Sequence, residues 1–287
     1  MIEKNKQNKT NLKSPPAGDL GGFTITSPQN PLIKEILLLQ SKSKERKKAD
    51  TIVIEGKKEI SLAASAGLIF RKILFCPDII SIEELKEITG KQFDKADVFE
   101  ISDTVFSKIS YRETTGGMVV LAAMPDKKLA DLNVKEQSVF IILEAVEKPG
   151  NLGAICRVAD AAQVAGLIIC DPHTDIYNPN AIRSSLGCVF TVDVVNSTFE
   201  ETLNWLKQHK ITSYAAELTA AEFYHRLDLK GKIALAFGTE ATGLTEKWIE
   251  GADKRIKIPM GGVIDSLNVT TSVAILTFEA MRQRNFE

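Results

Sequence analysis

The residues best suited to chemistry in this sequence are Asn151, Arg157, Glu240, Ser266 and Asn268, and all sit in or beside glycine-bounded turns. The first turn lies in Glu147-Lys-Pro-Gly-Asn-Leu-Gly-Ala-Ile-Cys-Arg157, which reads as a strand end, a Pro-Gly turn and a helix start. The second lies in Ile233-Ala-Leu-Ala-Phe-Gly-Thr-Glu-Ala-Thr-Gly-Leu244, a buried strand running into a loop that carries Glu240. The third follows a short strand expected at 255–258, where Pro259 ends pairing because it has no N–H to donate. Met260-Gly261-Gly262 then permits positive φ, and Ser266 is the expected N-cap of a helix apolar on nearly every face through Met281. A guanidinium stays protonated, so Arg157 suits binding an anion or lowering a nearby hydroxyl's pKa electrostatically, more than accepting a proton. Asn151, Glu240, Ser266 and Asn268 suit positioning.

Several other chemistries find no support. The histidines form no ligand cluster, and Cys76, Cys156, Cys170 and Cys188 form no CxxC pair, so neither a metal site nor a disulfide frame is expected. The cysteines read as small core residues in a reducing cytosol. Pro-Gly-Asn-Leu-Gly does not match the GxGxxG turn of a dinucleotide site, and a P-loop and a G-x-S-x-G elbow are both absent.

The elements that must hold these turns alternate strand with helix. The chain of 287 residues suits one large or two modest domains. We read 1–22 as a disordered, Lys/Asn-rich leader without signal-peptide character, 23–124 as a small α/β domain, 125–137 as a polar linker and 138–287 as a second α/β domain. In the second domain, strands are expected near 138–145, 167–170, 191–195, 212–217, 233–237 and 255–258, and helices near 151–165, 199–209 and 245–251. Gly166 is expected to close the helix begun at Asn151. This alternation argues a parallel, mostly buried sheet. No apolar run is long enough for a membrane span. The net charge of −1 cannot draw a polyanion by itself, so a nucleic-acid surface would have to be local. The densest basic run outside the leader is Lys42, Lys44, Arg46, Lys47 and Lys48, interrupted only by Glu45 among charged residues.

In order and spacing, the three turns resemble the motifs of the SpoU (TrmH-like) RNA ribose 2′-O-methyltransferases of the SPOUT class, over 144–284. The resemblance implies a C-terminal trefoil-knotted α/β methyltransferase domain with a parallel sheet. It also implies a preceding ribosomal-protein-like RNA-binding domain, which Glu55-Gly56 and Thr115-Gly116-Gly117 fit. It implies S-adenosylmethionine as cofactor, with Gly238, Ile258 and Leu267 lining its pocket and Gly238 kept small so that the adenosine can approach. Arg157 would activate the ribose hydroxyl, Asn151 and Glu240 would position, and Ser266 and Asn268 would complete the site. Lys148 departs from the short polar or acidic residue more usual before the proline. The partners implied are RNA, with ribosomal RNA favoured over transfer RNA, and a second copy bound through the C-terminal domain in a cytoplasmic homodimer. The Lys42–Lys48 run would belong to the RNA footprint. The alternative is a catalytically silent SpoU-fold RNA-binding or ribosome-assembly protein.

Overall fold

The computed structural model describes residues 24–286, apart from 112–115, 221, 240 and 265. The expected leader, Thr115 and Glu240 therefore lie outside the described residues. The N-terminal part opens with α1 (Pro31–Ser41) and α2 (Ser43–Ala49), then β1 (Thr51–Glu55), α3 (Lys57–Ser65), β2 (Phe70–Phe75), α4 (Ile82–Thr89), β3 (Asp97–Glu100), α5 (Asp103–Ile109) and β4 (Met118–Ala123). Its sheet has the order β1-β4-β2-β3, with β4 antiparallel to both neighbours and β2 parallel to β3. The sequence gives no clear sign of β3, and α2 forms within the basic run.

The second part follows as β5 (Val139–Glu144), α6 (Pro149–Ala161), β6 (Gly166–Cys170), α7 (Pro179–Ser184), β7 (Val194–Ser197), α8 (Phe199–His209), β8 (Thr212–Ala216), β9 (Glu222–Phe223), β10 (Ile233–Phe237), α9 (Glu246–Gly251), β11 (Lys254–Lys257) and α10 (Val269–Gln283). These strands form one sheet of order β7-β6-β5-β10-β8-β11-β9, parallel at every pairing. A parallel sheet is covered on both faces, so its strands are apolar at successive positions rather than alternating with polar ones. In β5, Ile141 and Leu143 face a core shared with Leu152 and Ile155 of α6 and Val273 and Leu276 of α10. Phe140 and Ile142 face the opposite layer, where Trp205 of α8 and Trp248 of α9 pack.

Two helix ends differ from expectation. α6 stops at Ala161, and Gln163 takes the left-handed turn at φ 49°. Gly166 instead begins β6, where an added Cβ would stand 2.9 Å from Leu132 Cδ2. α10 is capped by Asn268, whose side chain accepts from Thr270 N at 2.9 Å, so Ser266 lies before the helix and does not cap it.

The two parts pack directly on each other. Gly187, at φ 85°, brings the chain after α7 so close to α3 that a Cβ there would stand 3.0 Å from Glu59 Cα. The side chain of Arg46 crosses the same junction. Its Nε and Nη2 reach Asp175 Oδ2 at 2.8 and 2.7 Å, and its Nη1 donates to the carbonyls of Leu39 and Gln40. Its side chain is 1% exposed, and that of Asp175 is 7% exposed. This corrects the grouping of Arg46 with the surface lysines. Its guanidinium is engaged inside the protein and too buried to meet a phosphate on RNA. Arg183 of α7 adds a second crossing contact, its guanidinium lying 3.9 Å from the centre of the Tyr111 ring.

Candidate active site

The C-terminal ends of β5, β8, β10 and β11 converge on two adjoining cavities, of about 490 and 740 Å³. The 239–246 loop forms the wall between them: Thr239, Ala241, Thr242 and Glu246 line both. Sequence dictates this loop's shape. Thr239 and Gly243 exchange backbone hydrogen bonds, and Thr239 Oγ1 accepts from Thr242 N at 3.1 Å. Glu144, buried at the end of β5, ties down the loop's far side by accepting from Thr245 N at 2.7 Å and Thr245 Oγ1 at 2.6 Å. Sequence reading missed Glu144. A carboxylate ending a buried strand must find donors close by, but nothing in the sequence says that Thr245 supplies them.

Gly238 opens the loop, and its smallness has a cause within the loop itself. A Cβ there would lie 2.0 Å from the carbonyl carbon and oxygen of Gly243 and 2.2 Å from Leu244 N. The loop's own return, before any ligand, excludes a side chain. Gly238→Val should therefore displace the 239–244 loop and abolish cofactor binding in calorimetry. Circular dichroism should still show the parallel sheet, since Ile233–Phe237 remains buried. Cofactor affinity equal to wild type would refute this account of the loop.

The first cavity is lined by Gly238, Ile258, Ser266 and Leu267, together with Ala216 and Glu217. Four of the expected site residues thus line one cavity. Asn151, in the first turn of α6, lines the second cavity. Asn268 lines neither cavity, although its neighbour Leu267 lines the first and Val269 lines both; its Nδ2 lies 3.5 Å from Asn151 Oδ1, while its Oδ1 caps α10. A close pairing of helices sets this meeting of α6 and α10. Gly153 permits a further close approach, of α6 to α7, where a Cβ would stand 2.0 Å from Ser184 Oγ. Arg157 lies outside both linings. It is exposed on α6, nearly two helical turns beyond Asn151, with no hydrogen bond or ion pair among the described residues.

The cysteines take no part in the chemistry of this site. Burial pushes the thiols of Cys156 and Cys170 up to about 12, so both stay protonated and inert. Among the described residues no cluster of His, Cys, Asp and Glu could hold a metal ion. Among them, too, no helix is long and apolar enough to cross a membrane.

S-adenosylmethionine fits the first cavity. Ala216, Ile258 and Leu267 offer apolar surface to an adenine, and the loop backbone offers polar groups beside it. Glu217 supplies a carboxylate whose Oε1 is buried without a hydrogen bond among the described residues, Arg255 Nη1 standing 3.7 Å away.

Comparison with known proteins agrees with this geometry. Residues 138–278 match the SpoU rRNA Methylase family, and residues 30–120 match the MRM3-like substrate binding domain. The chain belongs to the SpoU methylase family. Among its relatives is the 23S rRNA (guanosine(2553)-2′-O)-methyltransferase RlmP of Bacillus subtilis, 29% identical over 88% of this chain and 97% of that protein. A crystal structure of an RNA 2′-O ribose methyltransferase is 35% identical, with a TM-score of 0.78 over 92% of this chain and all of that one. The AdoMet-bound rRNA methyltransferase of Sinorhizobium meliloti is 27% identical, with a TM-score of 0.83 over 91% of this chain and 97% of that one.

Proposed function

We propose that this protein transfers a methyl group from S-adenosylmethionine to a ribose 2′-hydroxyl of 23S ribosomal RNA. One observation carries the reading: Gly238, Ile258, Ser266 and Leu267 line one cavity, and Asn268, next in the chain to Leu267, reaches Asn151 on the adjoining one. The relatives named for ribosomal RNA support the choice of substrate. When bound, S-adenosylmethionine supplies an electrophilic methyl group. The chain's own residues have three tasks. The 239–246 loop and Leu267 hold and orient the cofactor. Asn151 lines the adjoining cavity, where the nucleotide would sit, and Asn268 reaches Asn151. Arg157 binds a phosphate beside the target and lowers the pKa of the hydroxyl by its field.

The reading extends to a trefoil knot around the cofactor loops, supported by a strand order that inserts late β10 between β5 and β8. It extends also to a cytoplasmic homodimer through 138–287. The position of Arg157 outside both cavities, and the exposure of Val263, Ile264 and Phe278, support a second copy there. Light scattering should give twice the chain mass, and a single-chain mass at micromolar concentration would refute the dimer.

Lys42, Lys44, Lys47 and Lys48 are all exposed, with no ion pair among the described residues, and belong in this reading to the RNA footprint. Methyl transfer from labelled cofactor to a 23S rRNA transcript tests the whole. Digestion should return the label as 2′-O-methylnucleoside, with tRNA a poor acceptor. Label on a base, or none, would contradict the reading. With Lys44, Lys47 and Lys48 changed to glutamine, RNA affinity should fall and its salt slope should flatten by about 0.7 for each phosphate no longer neutralised. An unchanged slope would leave the lysines an idle solvated face.

A further inference from the structure

The seven-stranded sheet ends in β9, which pairs with β11 on one side only among the described residues. Two residues of strand are too few to explain why the chain returns here, but what they carry is distinctive. Phe223 stands opposite Lys257 in the register, and the Lys257 ammonium lies 5.1 Å from the centre of its ring. The Arg226 guanidinium lies 5.1 Å from the same ring. His225 stacks on Phe223 with centroids 5.7 Å apart and planes 13° apart, and meets Tyr224 edge-on. His225 and Arg226 are both exposed.

The nearby carboxylates form no ion pair with Arg226 or Lys257 among the described residues; Asp228, exposed two residues beyond Arg226, accepts from Lys230 N through Oδ1. Glu279 is taken by Arg282 at 2.7 and 2.8 Å and by Gln283. Glu217 is held by Thr219 and lies near Arg255. Glu222 falls on the other face of β9 by strand alternation. Arg226 and Lys257 therefore keep their charge unpaired among the described residues, beside an aromatic pair. Cations interleaved with stacked rings and held in no ion pair are the chemistry of a surface that takes single-stranded nucleic acid: rings stack on bases and cations meet phosphates. A protein partner of ordinary acidity would meet the cations but would have no use for the open stack. Lys257 also lines the cofactor cavity, so the patch begins at the site itself.

We infer that Phe223, His225, Arg226 and Lys257 receive the single-stranded RNA segment flanking the methylated nucleotide. One base stacks on the Phe223–His225 pair, and Arg226 and Lys257 meet its phosphates. This rests on the RNA substrate proposed above and adds a binding surface distinct from the lysines of the N-terminal part.

The test uses the full chain, with His225→Ala and Arg226→Gln combined. Both side chains are exposed, so the fold should survive. Lys254→Gln is the control, because it removes one positive charge outside the patch, where Lys254 lies over Tyr214. The double variant should bind oligouridine and 23S rRNA transcript about tenfold more weakly, the order expected when one base loses its stacking platform. Its salt slope should fall by about 0.7. Calorimetry should show unchanged affinity for S-adenosylmethionine, and Lys254→Gln should match wild type throughout. RNA affinity and slope equal to wild type, in a protein that binds RNA, would overturn the inference. A lower chain mass by light scattering with RNA affinity intact would overturn it in favour of an interface between copies. A wild-type chain that binds cofactor but no RNA would overturn it through the substrate reading on which it rests.

Discussion

Arg157→Ala should lower methyl transfer by about two to three orders of magnitude while leaving affinity for S-adenosylmethionine unchanged. The magnitude is that of removing one preorganised charge from a developing oxyanion, about 10²–10³ in rate. The split follows from geometry: Arg157 is exposed on α6 and lines neither cavity, so its removal takes nothing from the cofactor's surroundings. Arg157→Lys should fail nearly as badly, because a point charge does not reproduce the planar fork that grips a phosphate. Single-turnover rates and calorimetry on the same preparations decide the matter. A variant that lost the cofactor in proportion to its rate would move Arg157 from the RNA side to the cofactor side.

Arg46→Ala carries the largest expected effect on stability. It leaves the Asp175 carboxylate, 7% exposed, without its counter-charge, and breaking a buried pair from one side costs about 3–5 kcal/mol. It also strips the Leu39 and Gln40 carbonyls of their donor. At roughly 2–4 °C per kcal/mol, the melting temperature should fall by about 10 °C. The junction between the two parts should become open to proteolysis. Lys47→Gln, one residue away and exposed, should leave melting unchanged. Melting of Arg46→Ala at the wild-type temperature would show that the pair contributes nothing at this junction.

Arg46 also shows where sequence reading stops. In the linear chain it is one cation among five, with nothing in its neighbours to set it apart. The distinction arises only because Asp175, far along the chain, ends up across the junction. Elements specified locally are legible. Phe199–His209 can be read at its true ends because Thr198 and Glu201 form a capping box, each bonding the other's backbone N–H. Ile233–Phe237 stands out as an unbroken apolar run between polar turns. Where two residues compete for one role, the sequence does not choose. Ser266 and Asn268 are both good caps, and the path of the chain after Gly262 places Asn268 at the helix start. β9 is too short to leave any periodicity.

The site is legible as three turns, and the structure brings Gly238, Ile258, Ser266 and Leu267 to one cavity, with Asn151 lining the next and Asn268 reaching Asn151. Two features are not legible: the clamp from Glu144 to Thr245, and the steric reason for Gly238. Both depend on how closely the loop returns to its own strand, a distance that no spacing in the sequence encodes.

Mapping 2′-O-methyl groups in 23S rRNA from a strain lacking this gene tests the central claim most directly. One ribose should lose its methyl group, and the purified protein with S-adenosylmethionine should restore it at the same nucleotide, while Arg157→Ala should not. An unchanged 2′-O-methyl map in ribosomal RNA would contradict the account.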